Sequence, residues 1–360
     1  MNRSLFLYLA PAAAGLFLAL TSLPMRPAPE LPADMPCEAG LPEALVPVRT
    51  AYREVDPNWP AYFGHLACLN LADNTPLFDE GWDTLPQIRF WRQIINLPMD
   101  TAIVSLARDR RPLAKVASAD WNAWSPARQR QFKDSVRAAW GLGRAALYLT
   151  AGKQHYYQYE KALPEVSEAV QIFRAQGVDP WFAQAILLIE SPGQMRYSPA
   201  GAAGPFQLMP EVAVRHGLAV TDSTDERADL RKSAGAAARM IAAVCIPETR
   251  DLLRSCRLRF SEDDLWFRLM VLHVYHAGAG NVGAALRQLR PRHGGMDLIL
   301  RLWRTESEGF RNASQNYSQI ALASQVELEA LLAVLPVPRC EPMEGWLALT
   351  GAGGLLEPGP

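Results

Sequence analysis

Gly177-Val-Asp-Pro-Trp-Phe-Ala-Gln-Ala-Ile-Leu-Leu-Ile-Glu190-Ser191-Pro192-Gly193 opens like a helix and ends on a carboxylate. Asp179 is a good N-cap, and Pro180 suits the first helical position, where its missing N–H costs nothing. Phe182, Ile186 and Ile189 recur at helical spacing and give the segment an apolar stripe. Glu190 follows four apolar residues at the C-terminal end. Partial desolvation there, together with the negative end of the helix dipole, predicts a raised pKa and a carboxyl still protonated near neutrality. That is the property of a general acid. Taken alone, the same segment also reads as an ordinary glutamate at an exposed helix end.

Two further stretches bear on the choice. Ser198-Pro-Ala-Gly201-Ala-Ala-Gly204-Pro-Phe-Gln207-Leu-Met209-Pro210 combines small residues, which let backbone approach a ligand, with one amide side chain in apolar surroundings. Val274-Tyr275-His276-Ala277-Gly278-Ala279-Gly280-Asn281-Val282 ends one apolar helix and starts another through a glycine turn. Tyr275 then sits at a helix end with a hydroxyl that needs a partner.

The order Glu-Ser, Ser-Pro-x-Gly-Ala-x-Gly-x-x-Gln-Leu-Met-Pro, Tyr-x-Ala-Gly-x-Gly-Asn-Val resembles the soluble lytic transglycosylase (SLT) family of the lysozyme-like superfamily, over about residues 165–325. The resemblance implies that Glu190 is the catalytic acid/base. It further implies that Ser191, Ser198, Gln207, Met209 and Tyr275 line a saccharide groove and that Tyr317 contributes from a late helix. The implied substrate is the peptidoglycan glycan strand, cut without water to a 1,6-anhydro product. Departures from the family pattern are Pro205-Phe206 before Gln207, His276 after Tyr275, and Pro192-Gly193 after the Glu-Ser pair.

Outside the motif region, the chain has 360 residues, enough for two domains, with 49% apolar and 20% charged residues. Thirty-six basic against thirty-seven acidic residues give a net charge of −1, so no electrostatic signature of nucleic-acid binding is present. Arg3 followed by the apolar run Leu5–Leu23 predicts an export signal or an N-terminal membrane anchor within residues 1–30, and residues 31–48 predict a linker. The expected location is therefore periplasmic or otherwise at the cell envelope. The context of Cys37 lacks the small residues of a lipoprotein site.

Residues 49–163 predict a smaller α+β domain of unassigned role, with a strand pair at Thr101–Ser105 and Leu113–Val116 and a helix from Ser125 to Leu142. His155-Tyr156-Tyr157-x-Tyr159 reads either as a sugar-stacking surface or as core. Residues 164–335 predict a lysozyme-like helical catalytic domain, with helices at Glu165–Gln176, Asp179–Glu190, Asp225–Val244, Asp263–His276, Asn281–Leu289 and Gln315–Val334. The whole is thus mainly α, α+β overall, and residues 336–360 predict a loose tail. Five cysteines permit two disulfides with one thiol left over; Cys245 and Cys256, across a short loop at Pro247, are the preferred pair, and buried free thiols are the alternative. No Cys or His spacing supports a metal, no cofactor is expected, and His65, His155, His216, His273 and His293 fall in no motif.

With one carboxylate, the sugar's own C6 hydroxyl serves as the nucleophile. A hydrolytic muramidase would need a second acid, for which Asp222, Asp225, Glu226 and Asp229 are the candidates. A non-catalytic cell-wall-binding protein that keeps the groove is the third expectation.

Overall fold

The computed structural model describes residues 55–340. The expected signal or anchor, the linker and most of the expected tail lie outside the described residues. No helix among the described residues is long and apolar enough to cross a membrane.

Among the described residues, fourteen α-helices and three strands follow in chain order. Helices α1 (Trp59–Phe63), α2 (Thr75–Asp79) and α3 (Pro86–Asn96) come first. Strands β1 (Thr101–Leu106) and β2 (Pro112–Ala117), helices α4 (Ser118–Ala123) and α5 (Pro126–Ala139), and strand β3 (Leu147–Ala151) form a small α+β unit. Then come α6 (Tyr159–Ala175), α7 (Pro180–Glu190), α8 (Pro210–Arg215), α9 (Leu230–Met240), α10 (Ile246–Ser255), α11 (Leu265–Ala277), α12 (Ala279–Leu289), α13 (Met296–Leu302) and α14 (Asn312–Leu332).

Helix α7 is the axis of the body, packed against α6 and α14. Every residue from Trp181 to Ile189 is buried, including Gln184, which is the expected state of a helix apolar on all sides. Its polar member is accommodated by α14: Gln184 Nε2 donates to Gln325 Oε1 at 2.7 Å, while Gln184 Oε1 accepts from the Ala72 backbone N–H at 3.0 Å. Asn74 and Trp91 bond into the same helix, to Gln325 and Gln319 at 3.1 Å each. The main apolar core therefore runs from Phe63 to Leu335, and the expected boundary between residues 163 and 164 falls inside α6. That helix begins at Tyr159 and carries Pro164 within it, whereas the sequence reading started it after the proline.

The strand pair forms with the expected partners, antiparallel, with Ala102 opposite Val116 and Ile103 opposite Lys115. A third strand, β3, which the sequence reading did not find, pairs with the other edge of β1 to give the order β2-β1-β3. Period-two alternation gives β1 two buried faces. Ile103 joins the main core; Ala102, Val104 and Leu106 face a satellite core with Phe132 and Val136 of α5.

Three expectations are corrected. Cys245 and Cys256 are free and stand at opposite ends of α10, which begins on Ile246-Pro247 as a helix rather than a loop. Ten residues of helix span about 15 Å, beyond the roughly 7 Å that a disulfide tolerates between Cα atoms. Among the described residues a disulfide joins Cys68 to Cys340, and the Leu69 N–H donates to the Pro338 carbonyl at 2.9 Å beside it. The expected loose tail is therefore fastened at its beginning, through residues 338–340. The single helix expected over Asp225–Val244 is broken into a short 3₁₀ turn (Glu226–Ala228), α9 capped by Asp229, and a π-helical turn at Ile241–Cys245 that leads into α10.

Candidate active site

Glu190 is the last residue of α7, and the cap that positions it is Asp179. The Asp179 carboxylate accepts from the Trp181 N–H at 2.9 Å and pairs with Arg268 at 2.7 Å, fixing the far end of the helix. At the near end the helix exhausts its own hydrogen-bond donors. Tyr156 supplies one: its hydroxyl lies 2.9 Å from the Ile189 carbonyl and 2.8 Å from that of Glu190. Arg196 in turn donates to the Tyr156 hydroxyl at 2.6 Å and lies over its ring.

The Glu190 side chain is half-buried. Burial pushes its carboxyl up to about 7, and two groups oppose that rise: the Tyr317 hydroxyl beside it and the positive charge of Arg196. Tyr317 sits close enough to act on the carboxyl, but its hydroxyl makes no hydrogen bond of full geometry and is otherwise without a partner. It is thus a buried donor held in reserve next to the acid. The His276 ring stacks on the other side of Tyr317.

The segment from Ser191 to Met209 folds over Glu190 as a pinned loop. Ser191 is buried and its hydroxyl donates to the Pro205 carbonyl at 2.8 Å. Tyr275, at the end of α11, donates to the Phe206 carbonyl at 2.6 Å. Ser198 accepts from the Ala202 N–H at 2.9 Å. Gln207 adopts a left-handed backbone conformation, φ 46°, and its amide nitrogen donates to the Arg196 and Gly204 carbonyls at 2.9 Å each. These four residues fasten the loop through side-chain bonds to its backbone. Met209, by contrast, is exposed, as are Met195 and Tyr197 on the same loop.

Gly204 is required by space as well as by its φ of 80°, since a Cβ there would lie 1.8 Å from the Arg227 carbonyl oxygen. Arg227 is a residue that the sequence reading missed. It is buried, paired with Asp225 at 2.7 Å, and donates to the Gly201 and Leu208 carbonyls. Tyr156 and Arg196 were also not assigned to the acid, because their link to Glu190 runs through backbone carbonyls, which leave no trace in side-chain spacing. The Tyr156-Tyr157-x-Tyr159 cluster turns out to be structural: Tyr157 and Tyr159 are core residues.

Asp225, Glu226 and Asp229 are engaged elsewhere. Asp225 binds Arg227, and Glu226 accepts from the Ala219 N–H at 2.7 Å and pairs with Lys232. Asp229 caps α9 through the Lys232 N–H. The charged side chain that acts on Glu190 among the described residues is Arg196, and no second carboxylate does so. No group of His, Cys, Asp and Glu among the described residues is arranged to hold a metal ion.

No curated protein matches the chain. Residues 170–294, from within α6 to just past α12, match the family described as the Transglycosylase SLT domain, so that span is a domain of the lysozyme-like family, whose action in general is on peptidoglycan.

Proposed function

We propose that the protein is a lytic transglycosylase that cuts the β-1,4 bond between N-acetylmuramic acid and N-acetylglucosamine in peptidoglycan glycan strands, with Glu190 as acid and then base. The observation that carries this reading is a half-buried carboxyl poised at about 7 with no second carboxylate acting on it. Protonated, Glu190 gives its proton to the glycosidic oxygen as the C1–O bond breaks. The resulting carboxylate is stabilised by Arg196 and by the Tyr317 hydroxyl. It then takes the proton from the C6 hydroxyl of the muramic residue as that oxygen bonds to C1, closing the 1,6-anhydro ring. An intramolecular nucleophile of this kind carries a large effective concentration, so no water-activating base is needed.

Met209, with Met195 and Tyr197, offers exposed apolar surface for the sugar faces, while Ser191, Ser198, Gln207 and Tyr275 support the loop from beneath. Export to the envelope accompanies this function, and the Cys68–Cys340 disulfide supports it, since such bonds persist in oxidising compartments.

Incubation of purified peptidoglycan with the full chain, followed by mass spectrometry, tests the reading. Anhydromuropeptides that disappear with Glu190→Gln are the expected result. Reducing-end muramic products would establish a hydrolase instead, and binding without products from either protein would establish a wall-binding module.

A further inference from the structure

The segment 101–151 carries nine lysines and arginines against three aspartates, a net +6 in a chain whose overall net charge is −1. Where this segment meets the start of α14 lies a cavity of about 540 Å³, with Arg111 on the side of the small sheet and Arg304 on the other. Neither arginine has a carboxylate partner among the described residues. Arg111 rests on the Trp140 ring instead.

Behind the wall of this cavity is a third cation. Arg110 is 3% exposed, and its guanidinium donates to Asn312 and Asn316 of α14, both neutral amides. It also lies 4.4 Å from the centre of the Tyr148 ring, which lines the cavity. Burial pulls its pKa down to about 10, opposed by the Tyr148 phenol and by no carboxylate. A buried cation without a counter-charge projects its field through a low-dielectric wall more strongly than a solvated one does. Apolar surface from Leu106 and Trp303 completes the lining. Glu306 is the one acid, 3.4 Å from the Tyr148 hydroxyl.

We propose that this cavity is a second binding site, which takes the carboxylate end of a short peptide of the kind that branches from peptidoglycan strands. Arg111 and Arg304 receive the carboxylate, Trp303 and Leu106 the aliphatic side chains, and Glu306 an amino group where the peptide carries one. The identity of the peptide rests on the peptidoglycan reading above; the carboxylate chemistry of the cavity does not.

The location suits a branch of the same strand that occupies the groove. Gln315, which lines the cavity, and Tyr317, which lies at Glu190, are two residues apart in α14 and so face nearly opposite sides of that helix. A helix with its side chains is about 10–12 Å across, and an extended peptide advances about 3.4 Å per residue. Going round the helix, about 16–19 Å, takes about five extended residues.

Isothermal titration of the full chain with an alanine-ended tetrapeptide, bearing either a free C-terminal carboxylate or a C-terminal amide, tests the site without any cleavage. The acid should bind at least tenfold more tightly than the amide, and Arg111→Gln with Arg304→Gln should remove that preference. Equal binding of acid and amide, no binding of either, or a preference unchanged by the double variant would overturn the proposal. Vesicles of anionic lipid that bind in the absence of any peptide binding would overturn it too, assigning the basic face to a membrane.

A parallel assay separates this site from the catalytic reading. The double variant should cleave peptide-bearing strands several-fold more slowly, while peptide-free glycan is cut at the parent rate. Equal rates on the two substrates would count against the site, whereas loss of all Glu190-dependent cleavage in the parent chain would sink the transglycosylase reading and leave the titration intact.

Discussion

His276 and Tyr317 stack face to face, their ring centroids 4.3 Å apart and their planes 20° from parallel, and the far edge of that stack is the Tyr317 hydroxyl beside Glu190. The residue that follows Tyr275 at the glycine turn thus reaches the acid through one intermediary. An aromatic pair contributes about 0.5–1.5 kcal/mol beyond its buried area. His276→Ala should therefore lower stability by about 1 kcal/mol in denaturant titration and also reduce the rate, because the tyrosine loses its backing. Unchanged turnover in that variant would show that Tyr317 is held by its own burial alone.

Tyr317→Phe is the sharper probe of the hydroxyl. That group lowers the pKa of Glu190, so its removal raises the pKa. A general acid must be protonated, and the alkaline limb of kcat/KM follows its pKa in the free enzyme. The limb should consequently move to higher pH in Tyr317→Phe, while kcat falls by about 10- to 100-fold through loss of a donor to the developing carboxylate. A fall in kcat with no movement of the limb would separate the two roles.

Glu190 should also leave a mark on stability. Its folded pKa of about 7 exceeds the ordinary glutamate value of 4.5, so between those values the folded state binds more protons than the unfolded one. Stability from this group is full below about pH 4.5 and is lost as pH rises through about 7. Glu190→Gln has no such loss. Its advantage over the parent should grow from pH 4 to pH 8, by on the order of 2 kcal/mol, as read from paired melts. A constant difference across that range would mean that the carboxyl is solvated enough to ionise freely.

How far the sequence led can be judged from α7. Its cap at Asp179, its proline and its final glutamate are all local features, and they were legible because capping and periodicity act within a few residues. Tyr317 came from the family resemblance, and its place at Glu190 is a contact over 127 positions of chain that no periodicity reports. Ser191, Gln207 and Tyr275 were legible as motif members, but their bonds to the Pro205, Gly204 and Phe206 carbonyls make them supports of the loop. The error at Cys245 and Cys256 has the same origin. Pro247 was read as a loop signal, yet near a helix N-terminus proline is a start signal.

The Cys68–Cys340 bridge closes a loop of 272 residues. In the chain-entropy view, long loops gain most from closure, and removal of a native disulfide typically costs about 2–5 kcal/mol. Cys340→Ser, or reductant added to the parent, should therefore lower the melting temperature by several degrees, whereas Cys256→Ser, at a free and partly exposed thiol, should leave it nearly unchanged. If reductant has no effect on the melt of the full chain, the bridge is not formed in the purified protein.

Two glycines with nearly the same backbone angle offer the last contrast. Gly204 and Gly278 have φ of 80° and 79°, and Gly278 has ψ 150°, so alanine pays a backbone penalty of about 1–3 kcal/mol at either position. Their surroundings differ. A Cβ at Gly278 meets nothing within 4 Å, but at Gly204 it would meet the Arg227 carbonyl oxygen at 1.8 Å. That carbonyl belongs to the residue whose side chain pins the loop at Gly201 and Leu208. Gly278→Ala should thus fold and lose about 1–3 kcal/mol, with activity retained. Gly204→Ala must move Arg227, release the loop over Glu190 and abolish cleavage even where the body stays folded, as circular dichroism alongside the product assay would show. Equal behaviour of the two variants would mean that the loop is not held against Arg227 in solution.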